Sequence, residues 1–274
     1  MIRDITIGQY YPAKSVLHRL DPRVKLVGTL LYLISLFLFN SIPGYVMTTL
    51  FLIIIIKMSR VPFSFIVRGL KPVIMLLMIT VLFNLFLTRD GAVLFHAWIF
   101  TITEGGLRTA VYMAIRLIYL IIGSSLMTFT TTPNELTDGI EELLGPLNKI
   151  HVPVHEIAMM MSIALRFIPI LLEETDKIMK AQIARGADFE SGNILQRAKA
   201  MIPILVPLFV SAFRRANDLA MAMEARCYHG GDGRTKMKPL QYHRNDRVAY
   251  LITLLYLVAI VGAGRYIPFK IWIF

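Results

Sequence analysis

Apolar residues in this chain neither alternate nor keep to narrow stripes; they come in long runs. Residues 26–56 carry no charged side chain. As one straight helix such a run would measure about 46 Å, well beyond a hydrocarbon core of roughly 30 Å. Asn40-Ser41-Ile42-Pro43-Gly44 is a turn signal in its middle, so the run predicts two short helices folded as a bent or shallow hairpin. A third uncharged segment covers 72–88, a fourth runs from near Leu107 to Thr132, interrupted after Arg108 only by Arg116, and a fifth covers 248–264. Between the third and fourth, 92–103 is too short to span and holds His96 and Trp98, which predicts a segment resting at the membrane interface.

Composition agrees with that pattern. Hydrophobic residues make up 56% and charged residues 17%, against roughly 25% charged in soluble domains, and the mean hydropathy is +0.62. These values argue against a soluble enzyme and a disordered chain. The single cysteine, Cys227, argues against a disulfide scaffold and a cysteine-held cofactor. Residues 1–25 lack the short apolar stretch and cleavage site of a secretory signal and read as mature protein. The expected fold class is an all-α integral membrane protein with about five membrane helices and a cytoplasmic domain of long helices.

Charge placement sets the orientation. The arm holds Arg3, Lys14, Arg19, Arg23 and Lys25, the second loop holds Lys57, Arg60, Arg68 and Lys71, and the first connection holds no basic residue. In the third connection Arg89 and Arg108 are set against Asp90 and Glu104. By the positive-inside rule the N-terminus is cytoplasmic and, after five crossings, the C-terminus at Phe274 is outside. The expected domains are a cytoplasmic basic arm (1–25), a four-helix membrane domain (26–132), cytoplasmic helices (133–247) and a final membrane helix (248–274). The net charge is +11; most of it belongs to the arm and second loop, because 133–247 is nearly balanced.

Residues 133–247 predict helices throughout. Pro133 suits a first turn followed by Glu135, Asp138, Glu141 and Glu142, and Gly145-Pro146 ends that helix. A second helix is predicted over 154–185 with Gly186 as its left-handed terminator, and a third over 194–226, kinked by Pro203 and Pro207. Each begins apolar and ends charged. Their ends are alike: Ile183-Ala184-Arg185-Gly186 and Glu224-Ala225-Arg226-Cys227 stand 41 residues apart. Small residues let a helix end enter a groove closely, and a terminal Arg offers a planar, permanently charged fork. The plainer reading is ordinary C-terminal chemistry, an Arg in the last turn followed by Gly.

Arg116 sits about 13 Å into the fourth span, where an ionisable residue is either functional or paired within the bundle. Met159, Met160 and Met161 offer a repackable surface for varied partners, or simply apolar helix. His18 and Asp21 fix the entry of the chain at Pro22 rather than do acid-base work. His151, His155, His229 and His243 lack metal-ligand spacing, so no metal site is expected. Residues 230–236 are glycine-rich but lack the Gly-Lys pair of a phosphate-binding loop and read as a flexible loop. The basic arm suits contact with anionic lipid headgroups, and nucleic-acid binding is not indicated. A stand-alone secondary transporter or channel is the alternative class; it should show two homologous membrane halves or polar residues along several spans, and neither is visible. No set of catalytic groups at matched depth marks an intramembrane enzyme.

The motif His18-Arg19-Leu20-Asp21-Pro22-Arg23-Val24-Lys25-Leu26, the pair Ala184-Arg185-Gly186 and Ala225-Arg226-Cys227, and the layout of four helices, helical cytoplasmic region and last helix resemble the transmembrane T component (EcfT) of energy-coupling factor (ECF) transporters. The likeness covers essentially the whole chain. It implies a non-catalytic subunit of an ATP-driven importer in a bacterial cell membrane, joining two ABC-type ATPases to a substrate-binding membrane S component. It implies that Arg185 and Arg226 each dock on one ATPase, and that ATP and Mg are handled by those partners, with no cofactor on this chain. The Ile-Gly-Gln-Tyr-Tyr-Pro start resembles the shared type that serves interchangeable S components for vitamins or other micronutrients, with Met159, Met160 and Met161 as the expected interface. Cys227, where Gly is common in the first motif, implies two unlike docking sites and so non-identical ATPases.

Overall fold

The computed structural model describes residues 10–88, 92–97, 100–189, 193–231 and 235–266. Arg3, Arg89, Asp90, Trp98, Phe274 and the Ile-Gly-Gln of the N-terminal signature lie outside the described residues. The described residues divide into two units: those of 10–139 with 240–266, and those of 140–239.

The larger unit is a helical bundle. α1 (Pro22–Leu38) starts where the Asp21 carboxylate accepts from the Arg23 amide at 2.9 Å, with proline at the first helical position. α2 (Ile42–Ser59) ends on Arg60 in the left-handed region, φ 56°. The turn falls at residues 39–41 rather than 40–44: Pro43 and Gly44 already belong to the first turn of α2, where a missing amide costs nothing. α3 (Phe63–Leu70) leads through a short 3-10 turn into α4 (Ile74–Leu87), and together they form an apolar stretch beginning nine residues before the predicted 72. α5 (Glu104–Thr130) begins at Thr103, whose hydroxyl accepts from the Gly106 amide, and α9 (Arg244–Tyr266) closes the unit.

The segment expected to rest at the interface forms an antiparallel hairpin, β1 (Val93–Ala97) against β2 (Phe100–Thr103), with an irregular register between Val93 and Phe95. Too short to cross as a helix, it satisfies its backbone by pairing with itself.

Among the described residues six helical stretches are long and apolar enough to cross a membrane: 42–59, 63–87, 104–130, 154–184, 195–224 and 244–263. α1 has 17 residues and is not among the six, while two of the six are long helices of the smaller unit. By length and composition the count is therefore six where the sequence predicts five.

The bundle core is aromatic. Phe51 and Tyr256 stack with centroids 4.0 Å apart, Tyr32 stacks on both, and Leu36, Phe39, Leu126 and Phe129 fill the space around them. Gly123 is required here, because a Cβ would stand 2.3 Å from the Tyr32 ring. Within it the Tyr256 hydroxyl pairs with Ser35 at 3.1 Å and Thr48 at 3.2 Å.

α1 and α5 cap one another. Arg116 of α5, only 7% exposed, donates to the Phe39 carbonyl at 3.2 Å and the Asn40 side chain at 2.7 Å, at the C-terminal end of α1. Lys25 of α1, 8% exposed, donates to the carbonyl of Thr130, the last residue of α5, at 2.8 Å. Helix C-termini carry orphan carbonyls and partial negative charge, so a buried cation beside each is matched in both respects. The expected entry motif works as a fastener as well: buried Asp246 of α9 accepts from the Asp21 amide at 2.9 Å and the His243 amide at 2.7 Å, while Arg23 pairs with Asp21 and lies over the Tyr242 ring.

Candidate functional site

α7 (Val154–Ala184) and α8 (Ile194–Glu224) have 31 residues each and belong to the smaller unit. α8 is started by a reciprocal capping box between Asn193 and Gln196 and runs unbroken through Pro203 and Pro207. The two helices pair in opposite directions. Gln182 donates to the Pro203 carbonyl at 3.4 Å, Glu174 accepts from Ser211 and, at 2.7 Å, from Arg215, and Met159 and Ile163 share a cavity with Leu219 and Met223. The later the α7 residue, the earlier its α8 partner. The two C-termini therefore lie at opposite ends of the pair, roughly 40 Å apart at 1.5 Å per residue.

Both ends are built alike. After α7 the amides of Arg185, Gly186 and Ala187 donate to the carbonyls of Gln182, Ile183 and Gln182; after α8 the amides of Arg226, Cys227 and Tyr228 donate to those of Met223, Glu224 and Met223. Each set is a Schellman cap, with its left-handed residue at Gly186 (φ 86°) and Cys227 (φ 55°). Glycine takes that conformation without strain, whereas a cysteine pays about 1 kcal/mol or more. The departure at Cys227 thus leaves the backbone shape intact and adds an exposed thiol.

Ala184, Arg185, Gly186, Ala225, Arg226 and Cys227 are all exposed, and neither the Arg185 nor the Arg226 side chain has a hydrogen bond or ion pair among the described residues. Near the second end, Arg226 and Cys227 border a cavity of about 510 Å³ with Met159, Tyr228 and His229. Met160 and Met161 face outward, exposed, so the methionine run is divided between that cavity and the surface. α8 also carries a larger stripe: Ile202, Leu205, Val206, Phe209, Val210 and Phe213 recur at helical spacing and are all more than half exposed.

A second polar cluster ties α6 (Pro133–Leu144) to α7. Glu141 accepts from His155 Nδ1 and from Lys236 Nζ, each at 2.9 Å, and Lys236 reaches Glu142 at 3.4 Å. Burial pushes the Glu141 carboxyl up, but hydrogen bonds from Lys236 and His155 outweigh it and hold the group below the ordinary value of 4.5. Burial likewise lowers Lys236, and its bond to Glu141 outweighs that and raises it above 10.5. Sequence reasoning put Lys236 in a flexible loop and His155 among scattered histidines; the legible signal was the unneutralised pair Glu141-Glu142. Asp232 and Gly233 of that loop lie outside the described residues. No group of three potential metal ligands occurs among the described residues.

Residues 13–237 match the family described as cobalt transport protein, CbiQ. The chain is 57% identical over 256 residues to the energy-coupling factor transporter transmembrane protein EcfT of Clostridium kluyveri, covering 93% of this chain and 95% of that one. The chain belongs to the EcfT family. The EcfT proteins of Acidaminococcus fermentans (52% over 268 residues, 98% and 100% of the two chains) and Bacillus subtilis (49% over 261 residues, 95% and 98%) are similar along nearly their whole lengths. The chain is thus a multi-pass transmembrane component of an ECF transporter.

Proposed function

We propose that this EcfT chain is the coupling subunit of an ATP-driven importer, inserted with its N-terminus in the cytoplasm and its C-terminus outside. Arg185 and Arg226, with the small residues Ala184 and Ala225 before them, each dock on one of two ABC-type ATPases, which bind and hydrolyse ATP with Mg. α7 and α8 then act as levers between the ATPases and an S component, which carries the vitamin or other micronutrient; the family description naming cobalt points to the same class of small cargo. In this reading α7 and α8 are coupling helices on the cytoplasmic side despite their apolar length, and their exposed apolar faces, the α8 stripe and Met160 and Met161, meet the interchangeable S components.

The observation that carries this reading is the pair of matched caps at opposite ends of one antiparallel helix pair. A single exposed helix end is ordinary. Two ends with the same hydrogen-bond pattern, the same exposed Arg and a spacing on the order of a small domain's diameter suit two similar partners held side by side. The added thiol at Cys227 gives those partners unlike surfaces, in keeping with non-identical ATPases.

The test is the double substitution Arg185→Glu and Arg226→Glu in cells expressing the complex. The chain is expected to insert at the wild-type level while ATPase co-purification weakens roughly 30-fold or more, as for loss of an interface anchor, and uptake falls to background. Wild-type uptake by the inserted double variant contradicts the reading.

A further inference from the structure

Between α1, α2, α5 and α9 lies a cavity of about 230 Å³. Its wall is almost wholly hydrocarbon, from Val24, Phe51, Leu52, Ile55, Leu126 and Ile252, and it is widened by Gly28. The polar side chains on that wall are largely engaged. Lys25 donates to the carbonyls of Thr130 and His18, Thr130 to that of Leu126, Thr253 to that of Ala249, and Tyr32 to that of Tyr119. Water gains little in such a space, which calls for an apolar occupant.

The cavity sits at the end of the bundle where α1 and α9 begin and α2 and α5 finish. Basic residues stand at that end. Arg19 lies in sequence between lining residues Leu17 and Leu20, Lys57 precedes lining Met58, and Arg60 donates to the Lys14 carbonyl at 3.4 Å. All four side chains, Lys14, Arg19, Lys57 and Arg60, are exposed. The acids nearby are committed elsewhere: Asp21 to Arg23, Asp246 to two backbone amides, and Glu135 to the Thr132 amide. The end of the cavity is therefore electropositive.

We propose that this cavity binds one acyl chain of an anionic phospholipid, with its headgroup phosphate held by the basic rim. A space walled by four packed helices suits an apolar occupant narrower than a transmembrane helix, which is about 10 Å across. An acyl chain is narrow, lies naturally at this depth, and brings a negative headgroup to the end where the cations stand. The site lends the bundle a fixed lipid between α1 and α9, independent of any coupling role.

Native mass spectrometry of the purified full chain, exchanged into equal amounts of phosphatidylglycerol and phosphatidylcholine with identical acyl chains, tests this. The wild type is expected to retain one lipid, predominantly phosphatidylglycerol. Replacing Lys14, Arg19 and Lys57 by Gln is expected to cut the preference roughly five-fold per residue while a lipid is still retained. Gly28→Leu, and separately Thr253→Phe from the α9 side, are expected to abolish retention of both lipids in protein that remains monodisperse. A wild type that retains no lipid or shows no headgroup preference overturns the proposal, as does a folded cavity-filling variant that still holds phosphatidylglycerol. Should neither filled variant fold, the wild type and the triple Gln variant decide it alone.

Discussion

The two units use arginine in opposite ways. In the bundle, Arg116 is buried and aimed at the carbonyl end of α1, with Lys25 doing the same for α5. In the smaller unit, Arg185 and Arg226 follow the ends of their own helices, whose carbonyls are already satisfied by backbone amides, and both point into solvent. A cation that completes a helix end contributes to the fold of this chain alone. A cation left over after the helix end is complete is available to something else. Arginine content or membrane depth therefore says little; what separates a structural from a partner-facing arginine is whether the adjoining carbonyls have other donors.

That contrast can be broken by substitution, and the largest effect belongs to the buried side. Arg116→Ala leaves the Phe39 carbonyl and Asn40 unmatched in a dry environment and is expected to destabilise the bundle by about 3 kcal/mol, measured by thermal unfolding in detergent. Arg185→Ala and Arg226→Ala, being exposed, are expected to stay within about 0.5 kcal/mol of wild type. If Arg116→Ala were as stable as these two, the distinction would fail.

A smaller effect tests the Glu141 cluster. Its carboxyl titrates below the ordinary 4.5 in the folded state, so the stability it contributes is present above that value and is lost as pH falls through the lowered one. Lys236, raised above 10.5, contributes stability that is present below that value and lost as pH rises through the raised one. Proteolysis of the 230–239 region is therefore expected to be slow between about pH 5 and 10 and to quicken at both extremes, with Lys236→Met removing the dependence; a partly exposed cluster of this kind is worth about 1 kcal/mol or less. A pH-independent cleavage rate in the wild type would show that the cluster does not hold the segment. Smallest of all, Cys227→Gly relieves left-handed strain at some cost in unfolded-chain entropy and is expected to raise stability by about 0.5 kcal/mol. Gly186→Cys is expected to lower it, and equal stability of the two variants would mean that the caps are not alike.

Much of this was legible in the sequence because it is written in local patterns. The ends of α7 and α8 follow from Arg185-Gly186 and from the charged second halves of the helices, and the start of α1 from Asp21-Pro22. Long uncharged runs announce the membrane helices. What the sequence could not supply depends on contacts between distant segments. Arg116 leaves both a functional and a pairing role open until Phe39, 77 residues away, is seen beside it. Lys236 lies 95 residues from Glu141, and its glycine-rich neighbours disguise it. At α7 and α8 apolar length and a charged second half give contrary signals, so length and composition alone do not say whether they cross, and the basic residues of 63–71 hid the early start of the third stretch.

The central claim is that the two helix ends serve two separate partners. Arg185→Glu and Arg226→Glu, made singly and purified gently with the whole complex, test it most directly by the stoichiometry of the retained ATPase chains. Each variant is expected to lose one ATPase selectively and to weaken the other less, with the identity of the lost chain reversed between the two. Retention of both ATPases by both variants, or loss of the same one from each, would contradict the account.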